Sequence, residues 1–217
     1  MTGWAERAMR LLQIVTTLVA VNLLILGGTL FGLVIGGLFP ALVAGGAVLL
    51  GEIGDAGVWR GFVRTYRAEF RRANLVGAPL LVVAALLLVD AALLPQVPGA
   101  LGAALLVLTA VLAAATLVVG AVAVTLLVRY DDRPGVVLRQ ALLIAAASPG
   151  TALAVVVTAL AAGALGLVVP VLLPLAGAAG PLVLALRLVD RRLVRIDPHH
   201  PLRPEEARLQ EEVILGA

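Results

Sequence analysis

Residues 11–51 read LLQIVTTLVAVNLLILGGTLFGLVIGGLFPALVAGGAVLLG, a run of 41 residues without a single Asp, Glu, Lys or Arg. About 20 apolar residues cross a hydrocarbon core, so this run is too long for one crossing and long enough for most of two. It also far exceeds the roughly 7–15 apolar residues of a signal-peptide core, which places it in the mature protein. Gly32, Gly36, Gly37 and Pro40 mark its middle. The reading is a hairpin: a helix over 11–33, a turn over 36–39, and a shorter helix over 40–51 with Pro40 in its first turn.

The rest of the chain repeats the pattern. Of 217 residues, 62% are apolar and 13% charged, with mean hydropathy +1.11. Soluble domains average roughly 45–50% apolar and about 25% charged, and disordered chains are more polar still. Both classes are excluded. Further apolar spans are predicted over 73–94, 100–128, 149–167 and 170–187, with a cytoplasmic tail over 191–217. Ser148 is predicted to cap the fifth span, with Pro149 in its first turn. The expected fold is all-α: one transmembrane helical bundle of about six helices in three hairpins.

All 16 basic residues are Arg, and the net charge is +3. They cluster between apolar spans, where the positive-inside rule accounts for them without nucleic acid. Arg60, Arg64, Arg67, Arg71 and Arg72 lie in one connector, Arg129, Arg133 and Arg139 in the next, and Arg187, Arg191, Arg192 and Arg195 after the last span. If all three connectors are cytoplasmic, two crossings separate each pair and both termini are inside. A second helix that only dips into the membrane gives five crossings and an external N-terminus.

Trp59, Phe62, Tyr66 and Phe70 interleave with Arg60, Arg64, Arg67 and Arg71. At about 100° per residue the aromatics share a sector of about 80°, the arginines one of about 60°, and the two centres lie about 125° apart. This predicts a basic, aromatic, amphipathic cytoplasmic helix before the third span. Such a helix lies among anionic headgroups, packs on the bundle, or docks a partner. Gly28, Gly32 and Gly36 form overlapping G-x-x-x-G patterns that serve helix packing within the chain or between two copies. Asn22 and Asp90 are the candidate intramembrane polar site, although Asp90 lies one turn from the loop at Pro95, and Asn22, Gln13, Thr16 and Thr17 also suit helix-helix hydrogen bonds.

Catalytic signatures are missing from the sequence. There is no Cys, the two histidines sit in Asp197-Pro198-His199-His200-Pro201, and neither a phosphate-binding loop nor a dinucleotide fingerprint is present. No catalytic, metal or cofactor-binding residue is assigned, and the protein is expected not to be an enzyme.

Trp4 with Met9-Arg10-Leu11, Asn22-Leu23-Leu24, Gly37-Leu38-Phe39-Pro40-Ala41, and Phe62, Tyr66 and Phe70 running into Ala73-Asn74-Leu75 and Gly77 resemble the YesL-type bacterial membrane proteins. Leu127, Arg129 and Tyr130 followed by Leu138-Arg139-Gln140-Ala141 look like the same family's later junction. Where relatives carry basic residues after the second helix, this chain has Leu49-Leu50-Gly51-Glu52. The resemblance implies a bacterial plasma membrane and an accessory role beside a sugar ABC transporter or another membrane protein, with Asn74 part of the docking helix. The competing expectation is a small transporter or channel with a path between helices.

Overall fold

The computed structural model describes residues 3–52, 57–169 and 177–196. Seven α-helices account for 90% of these residues, and no strand occurs among them. They are α1 (Gly3–Phe31), α2 (Ile35–Leu49), α3 (Val58–Leu93), α4 (Gly99–Arg129), α5 (Pro134–Ala147), α6 (Pro149–Val168) and α7 (Ala179–Ile196), with a 3-10 turn at Leu94–Gln96. Four segments are long and apolar enough to span a membrane: Leu12–Phe31, Val58–Gln96, Gly99–Arg129 and Pro149–Val168. The 15 residues of α2 reach only about 22 Å, short of a ~30 Å hydrocarbon core. The predicted sixth span starts at residue 170, whereas α7 begins at Ala179 and carries Arg187, Asp190 and Arg191. Residues 170–176 and 197–217 lie outside the described residues, so the first turns of that span and most of the tail are not placed.

The core forms around α2. From Phe39 to Val48 nearly every residue is buried, because α2 is apolar on all sides and packs against α1, α3, α4 and α7. Val21 and Ile25 of α1, Val76 of α3, Val122 to Leu127 of α4, and Leu186 and Val189 of α7 close around it. The outer half of α4 instead exposes Leu101, Val107, Leu108 and Val111, as a lipid-facing helix does.

Two helices joined by a turn do occupy this run, but the turn falls at 32–34, earlier than residues 36–39. Helix α1 ends in a Schellman arrangement: the Leu33 N–H donates to the Leu30 carbonyl (3.1 Å) and the Val34 N–H to that of Thr29 (2.8 Å). Leu33 (φ 57°) takes a positive φ that glycine normally fills, and Val34 (φ 66°, ψ −64°) is the centre of a strained γ-turn closed by the Ile35 N–H on the Leu33 carbonyl at 2.8 Å. The glycines serve close approach instead. A Cβ on Gly37 would lie 2.5 Å from the carbonyl oxygens of Gly28 and Thr29, and one on Gly32 would collide with the Gly37 backbone. Pro40 is consequently inside α2 and not in its first turn.

A second difference concerns the basic aromatic segment. Polarity changes sharply at Arg72–Ala73, yet no helix breaker lies there, and α3 runs unbroken for 36 residues, about 54 Å. At α6 the predicted boundary holds, with Pro149 in its first turn, but Ser148 makes no side-chain cap.

Candidate functional site: an arginine face on a clamped helix

Within α3 the aromatic sector divides. Phe62 and Tyr66 are buried and stacked, ring centroids 6.1 Å apart, and the Tyr66 hydroxyl donates to the Gly28 carbonyl at 3.0 Å. A Cβ on Gly28 would lie 3.3 Å from both rings, so this glycine receives the aromatic pair. Trp59 and Phe70 remain exposed, Trp59 at 66%. On a helical wheel these two stand at the edge of the aromatic sector nearest the arginines. Arg60, Arg64, Arg67 and Arg71 are exposed along the opposite side. One half of the predicted docking helix is therefore packed into the bundle, and the other presents four guanidinium groups outward.

Arg72 leaves that face. Its guanidinium donates to the backbone carbonyls of Asp132 (3.0 Å), Tyr130 and Leu127 (3.5 Å), and to Glu69 (3.0 Å), with the Asp131 carboxylate 3.6 Å away. It covers the C-terminal carbonyls of α4, where a cation also meets the negative end of the helix dipole. Asn74 plays a related part. Pro40 lacks the N–H that would bond the Gly36 carbonyl, and the Asn74 side-chain amide donates to that oxygen at 2.9 Å. The other hydrogen of the same amide group suits the Phe70 carbonyl, 3.0 Å away.

Asn22 is fully buried, and its Oδ1 accepts the backbone N–H groups of Ala178 (2.8 Å) and Ala179 (3.0 Å). It thus caps α7 from the first helix of the chain, satisfying donors that a helix start leaves orphaned. Replacing it with Leu, of similar size, should cost about 1–2 kcal/mol. Unfolding in mixed micelles and amide exchange at residues 178–182 would read the loss, with exchange rising at α7 before the other helices.

The Arg129 side chain, 3% exposed, donates to both oxygens of Asp190 at 2.8 Å and to Glu52. The ends of α2 and α4 and the middle of α7 meet at this cluster. Gly36, by contrast, has nothing within 4 Å of an added Cβ, so of the three patterned glycines only Gly28 and Gly32 are needed for close packing here. Asp90 is exposed in the last turn of α3, whereas Asn22 is fully buried.

A cavity of about 730 Å³ lies between α2, α3, α4, α6 and α7. Its walls are aliphatic and small residues, with Phe39 at one end and the hydroxyls of Thr109 and Thr116 as side-chain polar groups. Thr116 already donates to the Leu112 carbonyl at 2.8 Å. The cavity is not closed: it opens between these helices to the surface of the bundle. Sequence reading missed this cavity, whose visible trace is the alanine and glycine content of α4 and α6.

An all-helical chain with four membrane-length apolar segments, an apolar interior and an arginine-rich end defines a helical membrane protein. Residues 18–91 match the family described as "Protein of unknown function, DUF624". The match runs from the middle of α1 to the end of α3 and so contains Asn22, the packed glycines, the arginine face and Asn74. Comparisons with curated proteins and with solved structures found no match.

Proposed function

We propose that the protein is a non-enzymatic membrane component of the bacterial plasma membrane, with its arginine-rich connectors cytoplasmic, that assists a partner through the arginine face of α3. The observation that carries this reading is the division of that helix. Phe62 and Tyr66 fix one side against Gly28, while Arg60, Arg64, Arg67 and Arg71 stay exposed on the other. A rigidly held row of guanidinium groups suits acidic protein surfaces and anionic headgroups. The resemblance to YesL-type proteins supports a carbohydrate-uptake system as the partner.

A transport path for a sugar is the second reading. It calls for polar groups through the bundle, whereas the cavity walls carry no charged side chain among the described residues, and Asn22 is committed to α7.

The test is the triple substitution Arg60→Glu, Arg64→Glu and Arg67→Glu. Each arginine near an anionic surface contributes on the order of 1 kcal/mol, so reversing three should lower crosslinked partner recovery at least about tenfold at matched membrane abundance. Equal recovery from wild type and variant would reject docking through this face.

A further inference from the structure

The cavity has a shape and a charge environment that identify a ligand class. Along α4 its walls run from Leu106 to Val124, about 27 Å at 1.5 Å per residue. One leaflet of a ~30 Å hydrocarbon core is about 15 Å deep, so a complete acyl chain fits lengthwise. The volume falls in the ~300–1,000 Å³ range of ligand sites, and the lining offers an acyl chain apolar contact along its length.

The two ends differ in charge. At the Leu88 and Ala91 end, Asp90 is the adjoining ionisable residue. At the other end Val124 and Ala185 are followed within three helical turns by Arg187 and Arg191 on α7 and by Arg129 on α4, the last already paired with Asp190 and Glu52. A phosphate is repelled at the first end and attracted at the second.

We infer that this cavity binds one acyl chain of a bilayer glycerophospholipid, with its phosphate toward the arginines of α7. The inference rests on the chain being membrane-embedded and is independent of docking through α3. The lipid serves as a structural ligand that completes the packing of α4 and α6 against α2 and α7.

Two glycines make a clean test. Gly120 and Gly163 line the cavity, and an added Cβ at either meets nothing within 4 Å. Leucine at both places bulk in the chain's path from positions whose Cβ is unobstructed, and it replaces poor helix formers with a good one. Gly27 is equally open but lies outside the cavity, so Gly27→Leu is the matched control. The full-length protein would be moved into nanodiscs of phosphatidylglycerol and phosphatidylethanolamine, released gently, and weighed by native mass spectrometry.

Wild type and Gly27→Leu should retain phospholipid, while Gly120→Leu/Gly163→Leu should lose it by about tenfold or more, as overpacking by several methylenes predicts. If the double variant is not recovered, the single substitutions are read the same way. Delipidated wild type should also regain thermal stability on adding phosphatidylglycerol, with a smaller response from the filled variants. Equal retention by all variants would overturn the assignment, as would a wild type carrying no phospholipid or a polyprenyl lipid or free fatty acid in its place.

Discussion

Arg129→Met should lower stability by about 3–5 kcal/mol, the usual cost of removing one partner from a buried ion pair. The size follows from what remains. Asp190, its side chain 16% exposed, would keep a carboxylate turned toward an apolar helix junction without the two guanidinium N–H groups it now receives at 2.8 Å. Removing both charges, Arg129→Met with Asp190→Leu, should recover most of the loss, because a well-packed apolar pair replaces a buried ion pair at little cost. Glu52→Gln should matter by less than about 1 kcal/mol, since that side chain is 41% exposed and water screens it. Reversible unfolding in mixed micelles gives all three values. A double variant no more stable than Arg129→Met would show that the cluster matters through something other than its charges.

The second large effect is expected at Gly32. A Cβ there meets the Gly37 backbone, and the Tyr66 hydroxyl at 2.8 Å, so Gly32→Ala forces α1 and α2 apart at the hairpin where both are tightest. The expected cost is about 3 kcal/mol, at the upper end of overpacking, since backbone cannot move aside as a flexible side chain can. Gly36→Ala, only four residues away in the same G-x-x-x-G pattern, should be neutral or slightly stabilising, because its Cβ meets open space and alanine restricts the unfolded chain. The same assay separates them. Equal losses at the two positions would mean that Gly36 packs against something outside this chain, such as a second copy.

These contrasts show which parts of the molecule could be read from sequence. The apolar runs over 100–128 and 149–167 anticipated α4 and α6 within a residue at each end, because length and hydropathy decide those helices locally. The first two helices were legible as a pair, but the turn between them was misplaced. Glycines usually mark left-handed turns, and here they serve backbone contact while Leu33 and Val34 bear the positive φ. Period-3.6 geometry placed aromatics and arginines in separate sectors, but it carries no depth, so it did not tell buried Phe62 and Tyr66 from exposed Trp59 and Phe70. The polar contacts of Arg72, Asn22 and Arg129 join residues about 55–157 positions apart, beyond any local pattern. One of them left a trace: Pro40 orphans the Gly36 carbonyl, so a donor such as Asn74 was required somewhere.

The bond from Asn22 to the start of α7 also sets an order of events during synthesis. The acceptor is made 156 residues before its first donor. At ~5–20 residues per second, about 8–30 s pass before Ala178 leaves the ribosome. Helix α1 therefore enters the bilayer with the Asn22 Oδ1 still waiting for both of these N–H groups, and no truncated chain ending before Gly177 can supply them. The first helix can pack on α2 and α3 early, but this polar contact is completed only when α7 arrives, so one end of the bundle closes late.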